Sequence, residues 1–142
     1  MRLADSQFFP TDPNARSVLI YGVKYIKNNP IQEVRIIGHT DCGGVKVCHE
    51  AVDDSSIIPP ELRFWLQPLL QLARKHQGQS LLTLTEENVR AQMGSVHKVL
   101  KDLRLKRTVK VRVFVYHIAE RELREVTKLQ EEPLLQETVD NN

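Results

Sequence analysis

Apolar residues recur at helical spacing at Ala15, Val18, Leu19, Val23 and Ile26 and predict an amphipathic helix over residues 13–28. Asp12-Pro13 supplies its start, with Asp as N-cap and Pro at the first helical position, and Asn28-Asn29-Pro30 ends it. The period then changes. Val34, Ile36 and Ile37, closed by Gly38, form a short β-branched run that reads as a buried strand over 33–38. A short helix is expected over 45–52, after Gly43-Gly44, and Asp53-Asp54-Ser55-Ser56 reads as a polar loop.

Pro59-Pro60 opens the next helix, whose apolar face comprises Leu62, Trp65, Leu66, Leu69, Leu70 and Ala73, and His76-Gln77-Gly78 closes it with Gly as C-cap. Thr85-Glu86-Glu87 opens the longest helix, with Val89, Met93, Val96, Leu100 and Leu103 at a 3.6 period. Residues 108–118 form a second strand, with Val109, Val111, Val113 and Val115 on one face and Phe114, Tyr116 and Ile118 on the other. Leu123 and Val126 suggest a short antiparallel strand beside it, and residues 127–142 read as a solvated or arm-like tail. This alternation of helices and strands predicts one α/β domain with a mostly parallel sheet over residues 1–126. No internal repeat or low-complexity segment interrupts it.

Composition supports a globular domain. The 142 residues suffice for one core, with 41% apolar and 27% charged residues. A net charge of +2, with Lys and Arg spread along the chain, gives no footprint for nucleic acid. No apolar run approaches the roughly 20 residues that span a bilayer. Residues 1–6 show no apolar signal segment, so a cytoplasmic protein is expected, without nucleic-acid or membrane partners. Two cysteines, Cys42 and Cys48, are too few for a disulfide framework.

Chemistry concentrates at Gly38-His39-Thr40-Asp41-Cys42-Gly43-Gly44. His39 stands where a buried strand ends, the position at which open α/β sheets gather functional groups. Cys42 follows three residues later beside a glycine pair that opens a helix, and a helix N-terminus favours thiolate. Imidazole and thiolate are the donor types zinc prefers, and H-x-x-C is short enough to bring both to one ion. Gly43 and Gly44 leave room for the backbone to turn closely under it. The same four residues also admit a turn histidine and a buried cysteine with no metal.

In context the motif resembles the second metal motif of the β-class carbonic anhydrases, an apolar strand followed by G-H-x-x-C-G-G. The resemblance extends over roughly residues 10–126. Thr11 to Val23 is similar to the family's preceding helix, Glu87-Asn88-Val89 with Gln92 to its E-N-V-x-x-Q helix, and Val111 to Ile118 with Leu123 to its late strand and turn. It implies a β-carbonic anhydrase fold lacking the family's first strands, with zinc as cofactor and carbon dioxide and bicarbonate as substrate and product. It also implies His39 and Cys42 as metal ligands, a site lined by Gly38, Gly43 and Gly44, and a homodimer.

The family's zinc needs a further cysteine from a C-x-D-x-R motif, whose Asp and Arg orient the reacting hydroxide, and this sequence contains no such motif. By register the chain starts where the family's second strand ends, with Arg2-Leu3-Ala4-Asp5 as a remnant of the segment that follows. Other third ligands fit poorly. Cys48 lies about 240° round and ~9 Å along a helix from Cys42, and His49 about 10 Å along. Asp41, Asp5 and a residue of a second subunit remain as alternatives. His76, His97 and His117 and Trp65 are expected to be structural or surface groups. The absent strand predicts an open edge beside residues 33–38, filled by residues 1–9 with Phe8 and Phe9, or by a second chain. Three readings follow: a zinc-dependent carbonate dehydratase with an incomplete site, a non-catalytic relative acting as a binding or assembly partner, or a fragment of a longer enzyme.

Overall fold

The structure, a computed structural model, describes residues 7–127. The tail over 128–142, and Arg2 to Asp5, lie outside the described residues.

Helix α1 (Pro13–Ile20) starts as predicted, with the Asp12 carboxylate accepting from the Asn14 amide at 2.9 Å. It does not continue as an α-helix to residue 28. Over Tyr21–Tyr25 the coil widens, the Ile26 amide donates to Tyr21 O five residues back, and Ile26 is extended. The wider turn buries Gly22 and Val23, and Ile31 N–H folds back to Gly22 O. The apolar period alone cannot register such a change of pitch.

Strand β1 (Glu33–His39) extends the predicted strand by one residue, to the histidine itself. Helix α2 (Gly43–Glu50) begins two residues earlier than expected, and helix α3 (Pro60–Lys75) matches its prediction. Gly78 adopts φ +84° three residues beyond the end of α3. Helix α4 (Leu81–Asp102) starts four residues before Thr85, because Ser80 caps it through its hydroxyl, 3.1 Å from the Thr83 amide. Thr85 therefore lies inside the helix, and its hydroxyl donates back to Leu81 O.

Strands β2 (Lys110–His117) and β3 (Glu122–Glu125) complete a mixed sheet of order β1-β2-β3 among the described residues. β1 and β2 run parallel, with Glu33 opposite Lys110 and His39 opposite Tyr116. β3 is antiparallel to β2, as the sequence suggests.

Two apolar clusters meet at α4. Ile36, Val113 and Val115 of the sheet pack against Val89 and Val96, flanked by Phe8, Leu19 and Met93. Cys42, Val45 and Cys48 of α2 join Leu66, Leu69 and Ala73 of α3 and Leu84 of α4 in the other. The sheet face turned away from α4 carries polar and half-exposed groups. Arg112 grips Glu125 through two bonds of 2.9 and 2.7 Å, and both Arg35 and Arg112 lie over the Phe114 ring. Phe114 is thereby buried on the face opposite Val113 and Val115.

Residues 7–9 do not extend the sheet. Gln7 is buried against α4, donating to Asn88 Oδ1 at 2.9 Å, and the Phe8 amide donates to Gln92 Oε1 at 2.7 Å. Phe9 packs on Phe64 and Trp65 of α3. Among the described residues the outer edge of β1 therefore has no neighbouring strand.

Candidate metal centre

The turn between β1 and α2 is held from both sides. The Thr40 amide donates to Tyr116 O, and the Thr40 hydroxyl accepts from the Ile118 amide, both at 3.0 Å. These bonds tie the end of β1 to the end of β2, which fixes His39 at the carboxyl edge of the sheet. Asp41 makes the turn, at φ 55°, a left-handed conformation that short polar side chains tolerate. Glycine does not supply this step: Gly78 is the described glycine with a positive φ, and a methyl on Gly43 would meet nothing within 4 Å.

Gly38 has the opposite character. A Cβ there would stand 2.8 Å from Val89 Cγ1 and 3.3 Å from Thr85 Cγ2. The absence of a side chain lets α4 pack directly against β1, one residue before His39.

His39 is half-buried, and its Nδ1 lies 2.8 Å from Thr40 O. A carbonyl only accepts, so Nδ1 carries the proton and the lone pair resides on Nε2, the tautomer suited to metal binding. Cys42 is 5% exposed and is the N-cap residue of α2, its carbonyl accepting from the Lys46 amide. It lines a depression of about 190 Å³ shared with Thr40, Asp41, Lys46, Leu81 and Thr85. His39 is not among the residues that line it.

The other donors weighed from sequence are committed elsewhere. Asp41 pairs with Lys46 at 3.0 Å. Cys48 is fully buried, its sulfur 3.8 Å from Leu66 O. His49 Nε2 lies 3.0 Å from Gln79 O on the exposed side of α2. Asp5 lies outside the described residues. Among the described residues no group of three His, Cys, Asp or Glu side chains could hold a metal ion. His39 and Cys42 therefore have the right donor chemistry for zinc, but the described residues do not by themselves fit a complete zinc site.

The remaining aromatic and titratable groups match the structural reading. His117 is buried at the end of β2, His97 is exposed on α4, and His76 approaches Glu87 at 4.0 Å. Trp65 is partly buried against the α2–α3 cluster.

Sequence reasoning assigned no role to one polar group. Asn88 and Gln92 are 3% and 5% exposed, and with Gln7 they form a buried amide network on α4. The available signal was their i, i+4 spacing within the apolar stripe of α4, where an unsatisfied amide would be costly.

The sequence pattern of the family described as carbonic anhydrase matches residues 1–123. Among solved structures, the chain is similar to the β-carbonic anhydrase CafA of Aspergillus fumigatus, at 25% identity and a TM-score of 0.74. The match covers 92% of this chain and 65% of that one, so the chain spans about two thirds of the length of CafA. Two tetrameric β-carbonic anhydrases from Sordaria macrospora are represented at 22% identity and TM-score 0.75, covering 90% of this chain and 67% of theirs. The β-carbonic anhydrase CcaA matches at 19% identity and TM-score 0.62, over 87% of this chain and 64% of its own. The last two likenesses concern the fold alone. A comparison with curated proteins gave no match. With most of its length matched by the family pattern, and His39 and Cys42 placed where β1 meets α2, the chain belongs to the β-class of the carbonic anhydrase family.

Proposed function

We propose that this chain is a zinc-binding protein of the carbon dioxide–bicarbonate interconversion, contributing His39 and Cys42 as two ligands of the metal. The observation that carries the reading is the His39 ring, held at the carboxyl end of β1 with Nδ1 turned to Thr40 O, three residues before a cysteine at a helix N-terminus. When bound in such a site, zinc lowers the pKa of a coordinated water to about 7. The part of the described residues is positional. Thr40 holds the turn, Gly38 admits α4 beneath it, and Gly43 and Gly44 form the first turn of α2 beside Cys42.

The reading requires a third ligand from outside residues 7–127, for which Asp5 or a second subunit is the candidate. A second subunit is favoured by the open edge of β1 and by the exposure of Ile37, Tyr116 and Leu123 on one face of the sheet. A homodimer built on the domain over residues 1–126 follows from this reading.

The test is zinc content per chain, carbon dioxide hydration and solution mass on purified protein. Stoichiometric zinc, with activity abolished in His39→Ala, sustains the proposal. Folded protein that takes up no zinc and hydrates no carbon dioxide refutes it, and a stable monomer refutes the dimer. The same negative outcome in metal and activity, with the dimer retained, identifies the non-catalytic assembly partner.

A further inference from the structure

The chain carries a net charge of only +2, yet six of its 20 Lys and Arg fall within residues 98–110, against one carboxylate, Asp102. The fold gathers these residues where α4 ends and β2 begins. Lys98, Lys101, Arg104, Lys106 and Lys110 are all exposed. A depression of about 300 Å³ opens there, lined by His97, Lys101, Arg104 and Arg107 with Leu100 and Val109. Among the described residues no carboxylate lines it and no acidic group pairs with any of these four.

Arg107 is set apart from a solvated surface arginine. Its Nη2 donates to Val23 O at 2.6 Å, which fixes the guanidinium against the wide turn after α1. Its Nη1 is enclosed and makes no hydrogen bond among the described residues. Arg104 is held at φ 48°, a strained conformation for a long side chain, at the rim of the same depression. Basic residues near a helix C-terminus often serve the helix dipole alone. That role explains Lys101, but not a guanidinium anchored to the turn after α1 beside a concave surface that, among the described residues, has no carboxylate in its lining.

The depression lies at the amino ends of the parallel strands. His39 pairs with Tyr116 at the other end of the register, six residues and about 20 Å from the Glu33–Lys110 pair. It is therefore separate from the candidate metal centre.

We infer that this depression is a binding site for a small multiply charged phosphate compound. Three permanent cations exceed what one carboxylate neutralises, and planar guanidinium forks match phosphate oxygens two at a time. The volume sits at the lower end of small-molecule pockets and admits a di- or triphosphate. Arg107 is the positioned donor, with Arg104 and Lys101 closing over the charge.

The test is calorimetric titration of the full chain with inorganic pyrophosphate and tripolyphosphate at low salt, and with sulfate at equal ionic strength. Vesicles of phosphatidylcholine with and without phosphatidylinositol bisphosphate provide the membrane arm. Saturable pyrophosphate or tripolyphosphate binding, at least about tenfold tighter than sulfate, is expected. Lys101→Gln and Arg104→Asn, both exposed and the second compatible with a left-handed backbone, should each weaken it at least about fivefold with unchanged melting temperature. Arg107→Lys should weaken it most, because a single ammonium cannot hold Val23 O and a phosphate together. Three results would overturn the inference: no binding at millimolar phosphate compound, equal binding of sulfate, or binding indifferent to Lys101→Gln and Arg104→Asn. Binding to the inositide vesicles alone, without soluble phosphate, would also overturn it by assigning the patch to a membrane surface.

Discussion

Gly38→Ala isolates the contact on which the site's position rests. The added methyl would stand 2.8 Å from Val89 Cγ1 and 3.3 Å from Thr85 Cγ2. Val89 is fully buried and β-branched, so its methyl cannot swing away without leaving its rotamer. The strain must pass into the spacing of α4 and β1, and overpacking of this kind costs about 1–3 kcal/mol. For a domain of this size each kcal/mol lowers the melting temperature by about 3–5 °C, so a fall of roughly 3–15 °C is expected. Gly43→Ala is the matched control. Its methyl meets open space at the first residue of α2, and Ala is the better helix former, so stability should be unchanged or slightly raised. The assay is urea and thermal unfolding of both variants, repeated in a Val89→Ala background. Removing the opposing methyl should relieve about 1 kcal/mol or more of the Gly38→Ala penalty. The reasoning fails if Gly38→Ala is no worse than Gly43→Ala, or if its cost is the same with and without Val89.

Further expectations follow from other parts of the molecule. Gln92→Ala removes the acceptor of the Phe8 amide and a donor to Gln7, and should cost about 1–3 kcal/mol in urea unfolding; combined with Asn88→Ala the loss should be less than additive, since both break one network. Leu69→Ala, at a fully buried position between α2 and α3, should cost about 2–5 kcal/mol, and a smaller loss would mean that the cluster collapses into the cavity. The carboxyl of Glu33 is held below its ordinary range chiefly by its bond from Arg35, and that of Glu125 by Arg112. Depressed carboxylates stabilise the fold above their unfolded pKa of about 4.5 and lose that contribution as pH falls through the lower folded value. Glu33→Gln and Glu125→Gln should therefore lower stability slightly at neutral pH and flatten the acid limb of a stability–pH profile below about pH 4.5, where they converge on wild type.

Much of the architecture was legible because the apolar periods are clean. β1, α3 and β2 and the antiparallel β3 lie within two residues of their sequence expectations, and Cys48, turned away from Cys42 by its helical phase, is fully buried. The errors share a cause: local signals compete. Thr85-Glu86-Glu87 resembles a helix start, but Ser80 offers a hydroxyl at the right offset from Thr83, and the earlier cap prevails. The helix after Pro13 keeps its apolar period through Ile26, while the chain widens at Tyr21 to bury Gly22 and Val23. At the candidate site the residue types and the strand–turn–helix context were readable. The source of the turn was not, since Asp41 rather than the glycine pair takes the left-handed conformation. The basic patch was hidden by averaging, because a +2 chain gives no sign of a local excess until α4 and β2 bring residues 97–107 to one depression.

The central claim is that His39 and Cys42 together ligate zinc at the carboxyl end of β1. X-ray absorption at the zinc edge, on wild-type protein and on Cys42→Ser after exhaustive dialysis against zinc, tests it most directly. The account predicts a tightly held ion with imidazole nitrogen and at least one sulfur in its coordination shell, and the loss of one sulfur in Cys42→Ser. Protein that is folded yet retains no zinc, or a coordination shell indifferent to Cys42→Ser, would contradict it.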